Sequence, residues 1–181
     1  DHQISEASSA AKAAPDDKSL QGRVEDIERE KNLFWLEEIK RRSEARPTDT
    51  NLRYELGMLY FAAGDVNEAT AAFQRVVRDP KYRVSATTML GKCFALKGLD
   101  ELAIEQFERA LEGASLMEDS GKDIAYSLGM LYEKVGNYAY AEEAYKKIFE
   151  LDIGFRDIAE KMEAVYKKRR EKKTPSNSDE D

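Results

Sequence analysis

One cysteine, one histidine, four prolines and ten glycines serve all 181 residues, and each scarcity closes off a class of protein. Cys93 has no second cysteine to pair with inside the chain, so the fold does not depend on an oxidising compartment. His2 is the sole imidazole and lies in a polar N-terminal stretch, which removes histidine-based acid–base catalysis and multi-histidine metal sites from consideration. So little glycine and proline cannot punctuate an all-β sandwich, whose turns recur about every eight to twelve residues. A mostly helical chain is expected instead. No run of about 18 apolar residues occurs, so no transmembrane helix is expected. The chain opens on Asp1 rather than Met, which suggests a chain processed or cut from a longer one; any leader or anchor ahead of it would not be seen.

What is present is 41% hydrophobic and 36% charged residues with a net charge of -7. Both signs are abundant, and no basic stripe of the kind that binds nucleic acid stands out. Residues 1–19 are rich in Ser, Ala, Asp and Lys, contain Pro15 and show no apolar periodicity, so they read as a disordered tail or linker. Near the other end, Lys167, Lys168, Arg169, Arg170, Lys172 and Lys173 form a basic run ahead of a polar, acidic stretch. A solvated helix end whose cations suit the helix dipole is preferred there over a lipid or nucleic-acid contact, and residues 171–181 read as a second disordered tail.

The glycines are organised. Gly57 and Gly64, Gly91 and Gly98, Gly129 and Gly136 form three pairs, each seven residues apart. The first members are 34 and then 38 residues apart, one period followed by the same period with a four-residue insertion between Gly113 and Gly121. Leu56, Leu90 and Leu128 precede the first glycines, with Tyr60, Phe94 and Tyr132 just after. Behind the second glycines come Ala69 and Phe73, Ala103 and Phe107, Ala141 and Tyr145. A glycine inside a helix costs about 1 kcal/mol against alanine, so close packing must compensate. The expected partner is the small residue on the returning helix: Ala69 for Gly57, Ala103 for Gly91, Ala141 for Gly129. The second glycines then make the turns, where positive φ is wanted.

This frame resembles the tetratricopeptide repeat, matched three times between about Thr50 and Glu150. The resemblance implies an all-α fold: a right-handed superhelical stack of antiparallel helix pairs, or solenoid. Repeats are expected over 50–80, 84–115 and 122–151. Pro47 and Pro80 stand where second helices stop. A capping helix over 155–170 follows, with Ile158, Met162, Val165 and Tyr166 as its apolar stripe. Upstream, residues 20–46 read as one long helix of about 26 residues, near 40 Å at 1.5 Å per residue, its latter part filling the place of a second helix with Trp35 on the small-residue position. Its first half is strongly charged, which leaves projection, a coiled-coil dimer through residues 20–31, or continuation from an upstream domain open.

The family's binding wall is the concave groove lined by first helices. Carried over residue by residue, the resemblance puts Asn51, Tyr54, Met58 and Phe61, then Ser85, Thr88, Lys92 and Ala95, then Asp123, Tyr126, Met130 and Lys134 on that wall. Asn51, Tyr54, Met58, Phe61, Thr88, Lys92, Tyr126 and Met130 are the candidate partner-binding residues. The alternative is that the capping helix or the long N-terminal helix covers them. Co-chaperones of the family clamp a C-terminal carboxylate with Lys, Asn and Arg; the corresponding places hold Tyr54, Met58, Met89, Asp123 and Ser127, so that clamp is absent. Cys93 occupies the place of Leu59 and Leu131 and reads as core, and no base stands by to activate it. Adjacent carboxylates such as Glu37 and Glu38 or Glu142 and Glu143 diverge around their helices, and no phosphate loop is present. The expected function is therefore a protein-interaction or scaffolding module, not an enzyme, with no cofactor, no metal and no nucleic-acid partner. The runner-up is an assembly unit that oligomerises through the long N-terminal helix. The style of the array looks bacterial, and a cytoplasmic location is expected.

Overall fold

A computed structural model describes residues 18–173, and all eight elements among them are α-helices. They are α1 (Lys18–Ala45), α2 (Thr50–Ala62), α3 (Val66–Val76), α4 (Arg83–Leu96), α5 (Asp100–Glu112), α6 (Asp119–Lys134), α7 (Tyr138–Phe149) and α8 (Ile158–Lys173). Of the two stretches expected as tails, residues 1–17 and 174–181 lie outside the described residues, while Lys18 and Ser19 open α1 and residues 171–173 close α8. The chain divides after Val76 into two compact units.

In the first unit, α2 and α3 form a hairpin and α1 packs on α2. Asp49 starts α2 by accepting the backbone N–H groups of Asn51 and Leu52 at 3.0 and 3.1 Å, two of the donors that a helix start leaves without partners. At the far end Gly64 takes φ +83°. Its N–H donates to the Phe61 carbonyl, and that of Asp65 to the Tyr60 carbonyl. This is the glycine-dependent Schellman closure, in which a left-handed residue lets the chain turn back on itself.

The second unit repeats the arrangement. Gly98 and Gly136 adopt φ +71° and +72°, with Leu99 N–H on Phe94 and Asn137 N–H on Tyr132 in the same pattern. Here α4 pairs with α5, α6 with α7, α5 packs on α6 and α8 on α7. The core runs through Phe107, Ile124, Leu128, Tyr145, Ile148, Ile158 and Val165.

Three packing expectations need correction. Carbon atoms placed on Gly57, Gly91 and Gly129 would meet first the rings of Phe73, Phe107 and Tyr145, not the alanines. Ala69, Ala103 and Ala141 are themselves fully buried one turn earlier, and the ring, reaching back toward the helix start, fills the space above the glycine. Trp35 does not occupy a buried small-residue position: α1 buries Leu36, Ile39 and Ser43, and Trp35 is 41% exposed. On α8, Ile158 and Val165 are fully buried and Met162 is partly so, but Tyr166 is turned outward.

Gly121 was not singled out by the repeat. It brings the start of α6 against the Ser115 backbone, whose carbonyl carbon would lie 2.6 Å from any added Cβ. The insertion between the second and third hairpins is accommodated by that close approach.

Candidate functional site

On α2, Asn51, Tyr54, Met58 and Phe61 follow one helix face at intervals of three, four and three residues. Asn51 and Met58 are exposed, while Tyr54 and Phe61 are half-buried. Tyr54 leans edge-on against Phe73 with ring centroids 5.8 Å apart, so the aromatic that fills the glycine gap also props the strip from beneath. This face therefore carries an accessible apolar surface on a firm base.

In the second unit, Lys92 is exposed on α4 and Thr88 is half-buried, its hydroxyl donating back to the Val84 carbonyl at 2.8 Å. On α6, Met130 is 47% exposed. Lys134 pairs with Asp100 at 2.6 Å. Tyr126 differs from the others, since only 8% of it is exposed.

What covers Tyr126 is the connection between α7 and α8. Phe155 packs edge-on against its ring at 6.2 Å, and the Arg156 guanidinium lies 5.0 Å from its centroid. The Tyr126 hydroxyl donates to Asp157 at 2.5 Å. Burial and this carboxylate push the Tyr126 phenol up to about 12, and the same hydrogen bond holds Asp157 below the usual carboxylate range. Arg156 also pairs with Asp123 at 2.8 Å. Lys122 bridges Asp119 and Asp152, both at 2.7 Å, and these bonds hold its ammonium above the ordinary lysine range. Arg156 makes these contacts from a left-handed φ of +48°, where a non-glycine residue is uncommon. The capping helix expected from Phe155 starts at Ile158 instead, which leaves Phe155, Arg156 and Asp157 to form this connection; the aromatic, cation and acid in succession were the available signal.

The basic run of α8 is likewise not wholly turned to solvent. Lys161 and Lys168 both reach Glu133, at 3.1 and 3.2 Å, and Arg169 reaches Glu142 at 2.7 Å. Lys172 donates to the carbonyl of Gly136 at 2.9 Å, the end of α6 where the helix dipole favours a cation. Burial alone would raise the Glu133 carboxyl, but hydrogen bonds from Tyr145, Lys161 and Lys168 outweigh it and hold the group down.

Among the described residues no group of three or more potential metal-ligating side chains converges, and none of the helices is long and apolar enough to cross a membrane. Cys93 is fully buried, within the second unit. The accessible chemistry of these faces is apolar contact flanked by single charges, which suits recognition of another polypeptide.

Comparison with known proteins agrees with the architecture. The tetratricopeptide repeat profile matches residues 54–118 and again residues 123–152. Tetratricopeptide repeat protein 14 of Mus musculus is 29% identical over 116 residues, 62% of this chain but 15% of that protein; the chain thus spans a small part of that curated relative. Among solved structures, that of MamA superposes with a TM-score of 0.68 at 24% identity, covering 80% of this chain and 78% of the other. The first tetratricopeptide repeat domain of Spaghetti (RPAP3), bound to the HSP90 peptide SRMEEVD, gives 0.56 at 14% identity over 67% of this chain and 95% of its own. With three glycine-turned hairpins in phase and both profile matches falling on them, the chain belongs to the tetratricopeptide repeat family.

Proposed function

We propose that this protein is an interaction module that holds a segment of a partner polypeptide against the exposed face of its first helices. The observation that carries the reading is the pair of exposed methionines, Met58 at 39% and Met130 at 47%, each at the repeat position that follows a packed glycine. Unbranched thioether side chains adapt to varied apolar partners. Around them, Asn51, Tyr54 and Phe61 on α2, Thr88 and Lys92 on α4, and Tyr126 on α6 complete the strip in each unit. Tyr126 contributes by supporting the surface through Phe155 and Arg156 rather than by direct contact. The peptide-bound Spaghetti domain supports a polypeptide partner in general terms. Quantitative affinity capture with the intact chain and a Met58→Asp/Met130→Asp variant tests the reading. Both substitutions are at exposed sites and leave the helical spectrum unchanged; partners held by the strip are lost from the variant, and equal recovery by both forms sinks the proposal.

A second reading, self-association through α1, has its own observation. Leu33, Phe34 and Trp35 are 52%, 69% and 41% exposed, with the two rings edge-to-face at 6.0 Å. By contrast, Arg23, Asp26, Arg29 and Glu30 are exposed charges, so a dimer contact on this helix would centre on the apolar trio rather than on residues 20–31. Light scattering of the Phe34→Ser/Trp35→Ser variant separates the two: a dimer that becomes a monomer favours assembly, and a monomer in both forms removes it.

A further inference from the structure

The second helices carry a cleft that the repeat fold does not require to have its present chemistry. In the second unit, a cleft of about 520 Å³ opens between α5 and α7 over the floor of α6, with Glu108, Glu112, Tyr132, Tyr140, Glu143 and Lys147 among its lining. Tyr132 and Tyr140 stack with centroids 5.3 Å apart and planes at 26°. The two rings are unequal: Tyr132 is 8% exposed and donates its hydroxyl to Glu108, whereas Tyr140 is 53% exposed. One ring is wall, and the other presents an open face. Glu112 and Glu143 are exposed and have no ion-pair partner among the described residues.

The first unit holds the repeat-equivalent cleft, of about 340 Å³, and it has a different character. Tyr60 stands where Tyr132 stands, but Glu68 takes the place of Tyr140, and Lys40, Arg53 and Arg75 face Glu44 and Glu68. In α5 the equivalent of Tyr140 is Leu102, also exposed at 44%. This position is solvent-facing in all three repeats, so packing does not demand an aromatic there.

We propose that the cleft between α5 and α7 binds an arginine side chain of a partner polypeptide. Three carboxylates against one ammonium make the lining acidic, complementary to a cation. A guanidinium can lie flat on the open face of Tyr140, where the ring quadrupole attracts it, while Glu112 and Glu143 accept its planar fork of N–H donors. A lysine ammonium offers a point charge and no flat face, so arginine is preferred. This site lies on the second helices and is independent of the first-helix strip.

The test is a titration of the intact, isotope-labelled chain with the capped peptide Gly-Ser-Arg-Gly-Ser, followed by amide shifts in nuclear magnetic resonance. Peptides with citrulline or lysine in place of arginine serve as controls. Shifts are expected at residues 108–112 and 140–147, strongest with arginine and absent with uncharged citrulline. Tyr140→Ala and Glu143→Gln each weaken binding roughly tenfold, and Glu68→Gln in the other cleft leaves it unchanged. All three side chains are exposed, so the variants fold, and the unperturbed remainder of each spectrum verifies it. Shifts elsewhere, shifts of equal size with citrulline, or full binding by the Tyr140 and Glu143 variants overturn the site; equal affinity for lysine overturns the preference for arginine.

Discussion

Replacing Gly129 with alanine tests the packing logic of the whole array. The added Cβ would press into Tyr145, with Cδ1 and Cζ each 2.7 Å away and Cε1 nearer still, against an ordinary carbon separation of about 3.5–4.0 Å. The ring cannot retreat easily. Tyr145 is fully buried, its hydroxyl is fixed on Glu133 at 2.6 Å, and its ring packs against that of Tyr126 with centroids 5.8 Å apart. Overpacking a rigid core costs about 1–3 kcal/mol, and this site belongs at the upper end. Alanine returns about 1 kcal/mol through its better helix propensity, leaving a net loss of about 2 kcal/mol. With a urea dependence of about 1–3 kcal/mol per molar, the midpoint should fall by roughly 1 M, read by circular dichroism on the intact chain. The sibling sites set an order. Gly57→Ala places its Cβ 2.8 Å from Phe73, and Gly91→Ala places its own 3.0 Å from Phe107, so the losses should diminish from Gly129 to Gly57 to Gly91. An alanine at 129 that leaves the midpoint unchanged, or a larger loss at 91 than at 129, refutes the idea that the rings enforce these glycines.

Four further outcomes are expected. Glu133→Gln should destabilise the second unit by about 1–3 kcal/mol, because it withdraws the charge that Lys161 and Lys168 face in a partly buried network; faster amide exchange along α8 checks this, and wild-type exchange rates refute it. Burial and acidic partners raise the phenols of Tyr126, Tyr132 and Tyr145 above their unfolded value near 10. Their stabilisation is therefore complete below about pH 10 and falls away as pH rises through the folded values, that of Tyr126 being about 12; tyrosinate absorbance from these rings should appear together with loss of helix, not before it. Cys93, fully buried, should react with an aromatic disulfide reagent only as urea unfolds the chain, and prompt reaction in native buffer would place it elsewhere. An acidic peptide ending in a free carboxylate should show no measurable binding, since Met89 is buried and Asp123 is paired with Arg156 where a clamp would need cations; saturable binding lost on mutating these first helices contradicts that.

The turns were legible because they rest on backbone conformation. Positive φ at Gly64, Gly98 and Gly136 is a demand that few residues other than glycine meet, so the sequence shows it directly. The partner of each first glycine was harder to read. Ala69 and Phe73 are one helical turn apart on the same face, and spacing alone does not tell which of them reaches the gap; side-chain length and direction do. The candidate strip divides in the same way. Its α2 members follow from periodicity within one helix, whereas the cover over Tyr126 comes from a connection some thirty residues away in sequence. The cations of α8 were taken as solvated because a run of charge carries no record of which carboxylates fold beneath it.

Those inward contacts bear on how the protein meets others. Lys161, Lys168, Arg169 and Lys172 are held against Glu133, Glu142 and the end of α6, within a chain whose net charge is -7. An approaching molecule encounters a predominantly negative potential. Basic polypeptides are drawn in faster than neutral ones, acidic ones are slowed, and the difference shrinks as salt is added. The latch fixes where these four cations sit, while the net charge sets the kinetics of first encounter.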